Sequence, residues 1–299
     1  MIKIVLPIMN KSTSLLRGPT HYLDDDVWID KLSDEEYGAI SRAPVEYSAP
    51  VQTDHRCIFI SLKSAENIEK SSSLIATSCR YVLNNFRTES PLALPFAIVL
   101  QPKAKGSGMI VTKAFELSDD TRHTNKDDKY KIKSGVSREE VSSFYKVVKN
   151  ACERHKKLKL TINRFNSALS RPKLSDKIID TTISLESMVQ DDKTELSFKF
   201  ALYNSYAANK HPEKRLESFE LFKKLYNTRS TIVHGAADEA KETRLLTEIE
   251  SDWTKIEETA RRAINELVFF VQNGDPSTWT KHLLDGIIHA NLPQGGKPE

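Results

Sequence analysis

The hydrophobic pattern of this chain changes period part-way along, and that change constrains its fold more than any other feature. From Met1 to about Gly135 the apolar residues fall in short runs: Ile2 to Met9, Cys57 to Leu62, Pro95 to Leu100 and Met109 to Phe115. Each run is rich in Val and Ile and bounded by Pro, Gly, Ser or Lys, which predicts β-strands. Between the second and third, Ile68, Leu74, Ile75, Cys79, Val82 and Leu83 recur at helical spacing. Residues 1–135 therefore read as an α+β domain. Gly106-Ser107-Gly108 suits a turn between two of its strands, and the almost wholly polar stretch Ser118 to Lys133 reads as an exposed loop or linker.

After Gly135 helix follows helix, so residues 136–299 read as an all-α bundle. Ser137 and Glu140 form a Ser-x-x-Glu capping box, in which each side chain satisfies an unpaired backbone N–H. Val141, Phe144, Tyr145, Val148 and Ala151 make the stripe behind it. Leu158, Ile162, Phe165 and Leu169 carry the next helix up to Arg171-Pro172, where the proline disfavours helix in the residue before it. Ser175 or Asp176 then caps a helix bearing Ile178, Ile179, Ile183, Leu185 and Val189, and another runs from about Thr194 to Ala208. Pro212 suits the first turn of a helix whose apolar face is Leu216, Phe219, Phe222, Leu225 and Tyr226, with Gly235 as its left-handed stop. A long helix spans about Glu239 to Gln272, and Asp275-Pro276 opens a last one carrying Trp279, Leu283 and Ile287.

Composition excludes several classes. The chain has 299 residues, enough for two ordinary domains, with 39% hydrophobic and 28% charged residues, as expected of globular domains with real cores. Its 44 Lys and Arg against 41 Asp and Glu leave a net charge of +3, too little for a coat that neutralises many phosphates. Cys57, Cys79 and Cys152 lack Cys-x-x-Cys spacing and suggest neither a disulfide framework nor a zinc knuckle, which fits a reducing cytoplasm. No apolar run reaches the roughly 18 residues that would span a bilayer, and Met1 to Met9 reads as a first strand rather than a leader, so no membrane association is expected. The histidines show no metal-ligand spacing, Asp24-Asp25-Asp26 reads as a solvated turn, and no phosphate-cradling or dinucleotide glycine motif is present, so no metal and no cofactor are expected.

One constellation carries chemistry. In Leu221 to Gly235, LFKKLYNTRSTIVHG, Arg229 precedes His234 by five residues, with Lys223 and Lys224 upstream. Five residues turn an ideal helix by about 140°, so the two side chains do not stack unless the helix bends near Gly235. An imidazole moves protons near neutral pH and a guanidinium grips phosphate through two N–H groups. Together they suit cleavage of an RNA phosphodiester. Lys223, Lys224, Asn227 and Ser230 are the candidate RNA contacts around the pair.

These residues resemble the HEPN domains, whose signature is Arg, four to six residues, then His near the end of a helix in an all-α bundle. The likeness is greatest to the Apea-like HEPN group and covers roughly residues 150–272. Besides the Arg229-x4-His234 pair it rests on RFNSALSRPKLSDKIIDTTISLESMV, containing Glu186, and on LFKKLYNTRSTIVHG after LSFKFALYNSYA, in the family's order. Many family members carry Asn, Asp or His directly after the Arg; this chain has Ser230. The resemblance implies a metal-independent endoribonuclease acting as a homodimer, with Arg229 and His234 as the catalytic pair and Glu186 as an acid that orients or neutralises the site. It also implies a role in antiviral defence or a toxin-like stress response, with the alternative of a catalytically inactive module that binds RNA or a protein partner. Residues 1–135 would then act as a sensor or partner-binding domain through which a protein or ligand activates the bundle.

Overall fold

A computed structural model describes residues 2–9, 11–13, 19–43, 56–64, 66–92, 94–117, 129–189, 195–235 and 239–291. The chain forms an N-terminal region built on an antiparallel sheet and a mostly helical C-terminal part. Two compact units divide between Glu153 and Arg154 rather than near Gly135.

In the first unit β1 (Ile2–Pro7), β2 (Lys11–Thr13), β3 (His21–Asp24) and β4 (Val27–Lys31) precede helix α1 (Asp34–Ser41). Strand β5 (Arg56–Leu62), helix α2 (Ile68–Asn85), β6 (Phe96–Pro102), β7 (Met109–Glu116), β8 (Lys129–Lys131) and helix α3 (Arg138–Arg154) follow. Six strands form one sheet in the order β3-β4-β5-β1-β6-β7. β1 sits centrally, antiparallel to both β5 and β6, and is buried at every position but Lys3. This explains why Ile4 to Met9 are apolar at successive positions: a strand covered on both faces has no solvent side to alternate with. One face packs Val5, Phe59, Ile98 and Leu100 against Ala39 and Ile40 of α1. α1 opens on a full capping box, Ser33 accepting from Glu36 N and Glu36 accepting from Ser33 N.

Three expectations shift in this unit. Lys129–Lys131, taken from sequence as loop, pairs in parallel with β2, and the following Ile132 is buried; residues 118–128 of that loop lie outside the described residues. Asp24-Asp25-Asp26 does make the turn between β3 and β4, but Asp24 is no free carboxylate, because Lys149 lies 2.8 Å away and lowers its pKa. The third concerns α3. Its stripe forms as expected, with Val141, Tyr145, Val148 and Ala151 buried, yet it belongs to the sheet unit instead of heading the bundle. The Phe144 ring meets Tyr81 and Phe86 at the end of α2, and α3's polar side lies along β3. Amphipathic periodicity fixes which face is buried but carries no information on which neighbour buries it.

The second unit comprises α4 (Lys156–Ser170), α5 (Leu174–Val189), α6 (Leu196–Ala208), α7 (Pro212–His234), α8 (Glu239–Asn273) and α9 (Trp279–Asn291), with a short 3₁₀ turn at Pro276–Thr278. α4 packs on α5 and α6 on α7, while α8 runs along α6 and α7. Between α4 and α5 the buried Asp180 carboxylate accepts from Arg164 Nη1 at 3.1 Å and Arg171 Nε at 2.8 Å. The apolar face of α7 differs from the sequence expectation. Leu216 is 68% exposed and Phe219 half-buried, whereas Ser218, Leu221, Phe222, Leu225 and Thr228 are buried. The stripe through Leu216 and Phe219 is equally periodic, but α6 and α8 cover the side centred on Phe222 and Leu225, where Phe200 of α6 meets Phe222 edge-on.

Candidate functional site

α7 remains helical from Pro212 through His234 and ends at Gly235, whose φ of +74° only glycine adopts without strain. Arg229 and His234 therefore lie on one continuous helix, about 140° apart around its axis. They do not converge within one chain.

Arg229 faces α5. There the half-buried Glu186 lies close enough to feel its charge, and Tyr226, one turn before Arg229, hydrogen-bonds to the same carboxylate. Burial raises the Glu186 carboxyl above the usual carboxylate range, against the opposing pull of Arg229 and of the Tyr226 hydroxyl. Tyr226 is raised as well, by its own burial and then by the Glu186 charge. Its ring packs 5.1 Å from that of Phe200. Among the described residues Arg229 closes no ion pair, and its Nε is buried without a hydrogen-bond partner. A guanidinium held by charge, with donors left over, is suited to receiving an oxyanion.

His234 is exposed at the last residue of the helix. Helical spacing places it on the face of Leu216, Phe219, Lys223, Asn227 and Ser230, away from Arg229. On that face the Lys223 ammonium lies over the Phe219 ring at 5.8 Å, and Asn227 Oδ1 accepts from Ser197 Oγ at 3.3 Å. Ser230 is half-buried. Lys224 is directed elsewhere: its Nζ donates to the Glu248 carbonyl and to Asp252 Oδ2, both at 2.9 Å, and so ties α7 to α8.

The sequence brings Arg229 and Glu186 forward, and the structure places them together; His234, Lys223, Asn227 and Ser230 occupy a second face, and Lys224 belongs to neither. Tyr226 is the residue that sequence reasoning undervalued by assigning it to the core. The available signal was its spacing, three residues before Arg229, which puts both on the same side of a helix. Among the described residues no group of three or more His, Cys, Asp or Glu is disposed to hold a metal ion, and no helix is long and apolar enough to cross a membrane. Comparison with protein-family models, with curated proteins and with solved structures finds no match to this chain.

Proposed function

We propose that this chain is an endoribonuclease of the HEPN type whose active site is completed by two copies of the helical unit, Arg229 of one facing His234 of the other. The observation that carries this reading is Arg229 itself, buried at Nε, beside Glu186 and Tyr226, and without an ion-pair partner among the described residues. In the reaction His234 takes the proton from the ribose 2′-hydroxyl. The 2′-oxygen attacks phosphorus, the bond to the 5′-oxygen breaks, and the proton that His234 took is delivered to that oxygen, giving a 2′,3′-cyclic phosphate and a 5′-hydroxyl. Arg229 offsets the charge that builds on the phosphoryl oxygens. Glu186 holds the guanidinium on the α5 side without neutralising it fully. The helical separation of Arg229 and His234 in one chain is the reason the reading requires two chains. The dimer is expected to act in antiviral defence or a toxin-like stress response.

A second reading, a module that binds RNA or a protein partner without cutting it, draws on Lys224. Its engagement with Glu248 and Asp252 removes one cation from the surface around the pair. One experiment separates the two. Purified protein is incubated with single-stranded RNA and with tRNA in EDTA, alongside Arg229→Ala and His234→Ala. Cleavage that leaves 2′,3′-cyclic ends and falls at least about a hundredfold in both variants supports the nuclease; RNA binding without cleavage, or equal cleavage by all three proteins, favours the module.

A further inference from the structure

The first unit contains a cavity of about 460 Å³ between the start of β3 and the first three turns of α3. Its wall includes His21, Arg138, Glu139, Ser142, Ser143 and Lys146, none of which takes part in the site on α7. The volume falls in the range of small-ligand sites.

His21 is the unusual member. The residue is 5% exposed, and its two ring nitrogens are treated differently. Nε2 lies 3.2 Å from the Arg138 carbonyl and 3.1 Å from Ser142 Oγ. A carbonyl only accepts, so Nε2 carries the hydrogen, and in the neutral ring Nδ1 is left as a lone-pair acceptor. Nδ1 is buried and has no hydrogen-bond partner among the described residues. Unpaired buried polar atoms are uncommon because each forfeits its hydration, and this lone pair is the ring's remaining site for a proton.

The charges around it favour an anion. Arg138 spends one N–H on the Pro19 carbonyl, at 3.1 Å, and keeps the rest of its fork. Lys146 is half-exposed and only 3.9 Å from Asp24, whose closer partner is Lys149 at 2.8 Å. On β4, Asp30 is held by Thr20 and Arg56. Among the described residues of the wall Glu139 is the one opposing carboxylate. It folds back on its own backbone N–H and on Ser137, while Ser137 Oγ takes Glu140 N, so the helix's first amides are already served and are not the attraction. Among the described residues of the wall, Arg138 and Lys146 against Glu139 leave a modest positive excess, reduced by the Asp24 carboxylate near Lys146, and a protonated His21 would add to it.

We propose that this cavity binds a phosphate group, free or as the monoester of a small metabolite, gripped by Arg138 and Lys146 and answered by a proton taken up on His21 Nδ1. Burial first, then the Arg138 charge, holds the imidazole below its usual pKa, against opposing contributions from its bond to the Arg138 carbonyl and from Glu139. An anion in the cavity reverses that balance, so ligand and proton bind together.

The test is isothermal titration of the full chain with inorganic sulfate, inorganic phosphate and a nucleoside 5′-monophosphate at pH 5.8 and 7.8. Sulfate keeps its charge across this range, so its pH dependence reports the protein. Saturable binding of sulfate at least threefold tighter at pH 5.8 is expected, with that dependence lost in His21→Asn. Lys146→Glu, a change at a half-exposed position, should weaken all three probes at least tenfold, and Arg138→Met likewise. A monophosphate bound tenfold tighter than phosphate assigns the site to a metabolite, and equal affinities assign it to free phosphate. The proposal is overturned if none of the three probes saturates, if Lys146→Glu binds them as the parent does, or if His21→Asn retains the pH dependence.

Discussion

Glu186 and Arg229 face one another from α5 and α7 as an incompletely matched pair: burial raises the carboxyl even though the guanidinium pulls it down. Replacing Arg229 by Met removes that pull and leaves burial acting against a weaker opposition. The Glu186 titration, followed by carboxyl carbon NMR, should then move further up. A titration that stays in place or moves down would separate the two side chains and remove the basis for a shared site.

The buried face of α7 makes a sharp contrast within one helix. Phe222 is fully buried against Phe200, whereas Leu216 is largely exposed. Phe222→Ala should cost about 3–5 kcal/mol in denaturant unfolding, from lost transfer energy and the cavity left behind. Leu216→Ser, three turns of sequence pattern notwithstanding, should stay within about 0.5 kcal/mol of the parent. Comparable losses from the two would mean that the sequence-derived face was correct.

Asp180 is the hinge pin of the α4–α5 pair. Its carboxylate is 5% exposed, but Arg164 and Arg171 are partly in water, at 42% and 31%. Removing the acid therefore releases two arginines that can rehydrate, and the cost falls below that of orphaning fully buried charges. Asp180→Asn should destabilise the helical unit by about 2–3 kcal/mol, read as a shift in urea midpoint at unchanged slope.

Gly286 on α9 lies against the Tyr206 side chain of α6, too close for a Cβ without displacement. That ring is itself stacked under the Arg215 guanidinium at 4.2 Å, which restricts where it can go. Gly286→Ala should loosen α9 by about 1–3 kcal/mol despite the better helix propensity of Ala, visible as faster amide exchange in α9. Slower exchange there would show that Tyr206 yields freely.

The pH dependence of the sheet unit follows from His21. Its folded pKa is lowered, so the unfolded chain takes up the proton first as pH falls. Stability contributed by the neutral ring is full above the unfolded value near 6.5 and declines as pH drops through it toward the folded value. His21→Asn should flatten unfolding free energy across this window in phosphate-free buffer. A parent protein that is equally stable at both ends of it would contradict the burial of a neutral ring.

Much of the architecture could be read from hydrophobic period because period and burial have the same cause. The long runs at β1, β5 and β6 and the stripes of α4, α5 and α8 each name their element. What escaped reading was short or depended on a distant partner. β8 is three residues whose pairing with β2 is set more than a hundred positions away, and the α1 capping box, Ser33 with Glu36, opens a helix of only eight residues. α3 was legible as a helix but not as a member of the sheet unit. In the candidate site, Arg229 and Glu186 stood out through the family likeness and Tyr226 did not, since a tyrosine on an apolar side looks the same whether its hydroxyl is idle or bonded.

The fit of α3 along β3 has a consequence for the chain's handling in solution. β3 is an outer strand, and Ser142 Oγ reaches the Tyr22 carbonyl at 2.7 Å while Arg138 Nη1 reaches that of Pro19 at 3.1 Å. These are groups that another polypeptide would otherwise recruit for strand pairing. α3 thus covers part of the sheet's outer margin at and just before β3. A fragment cut near Gly135, where the hydrophobic period changes, would leave the Tyr22 and Pro19 carbonyls without these donors; one cut after Glu153 would keep them.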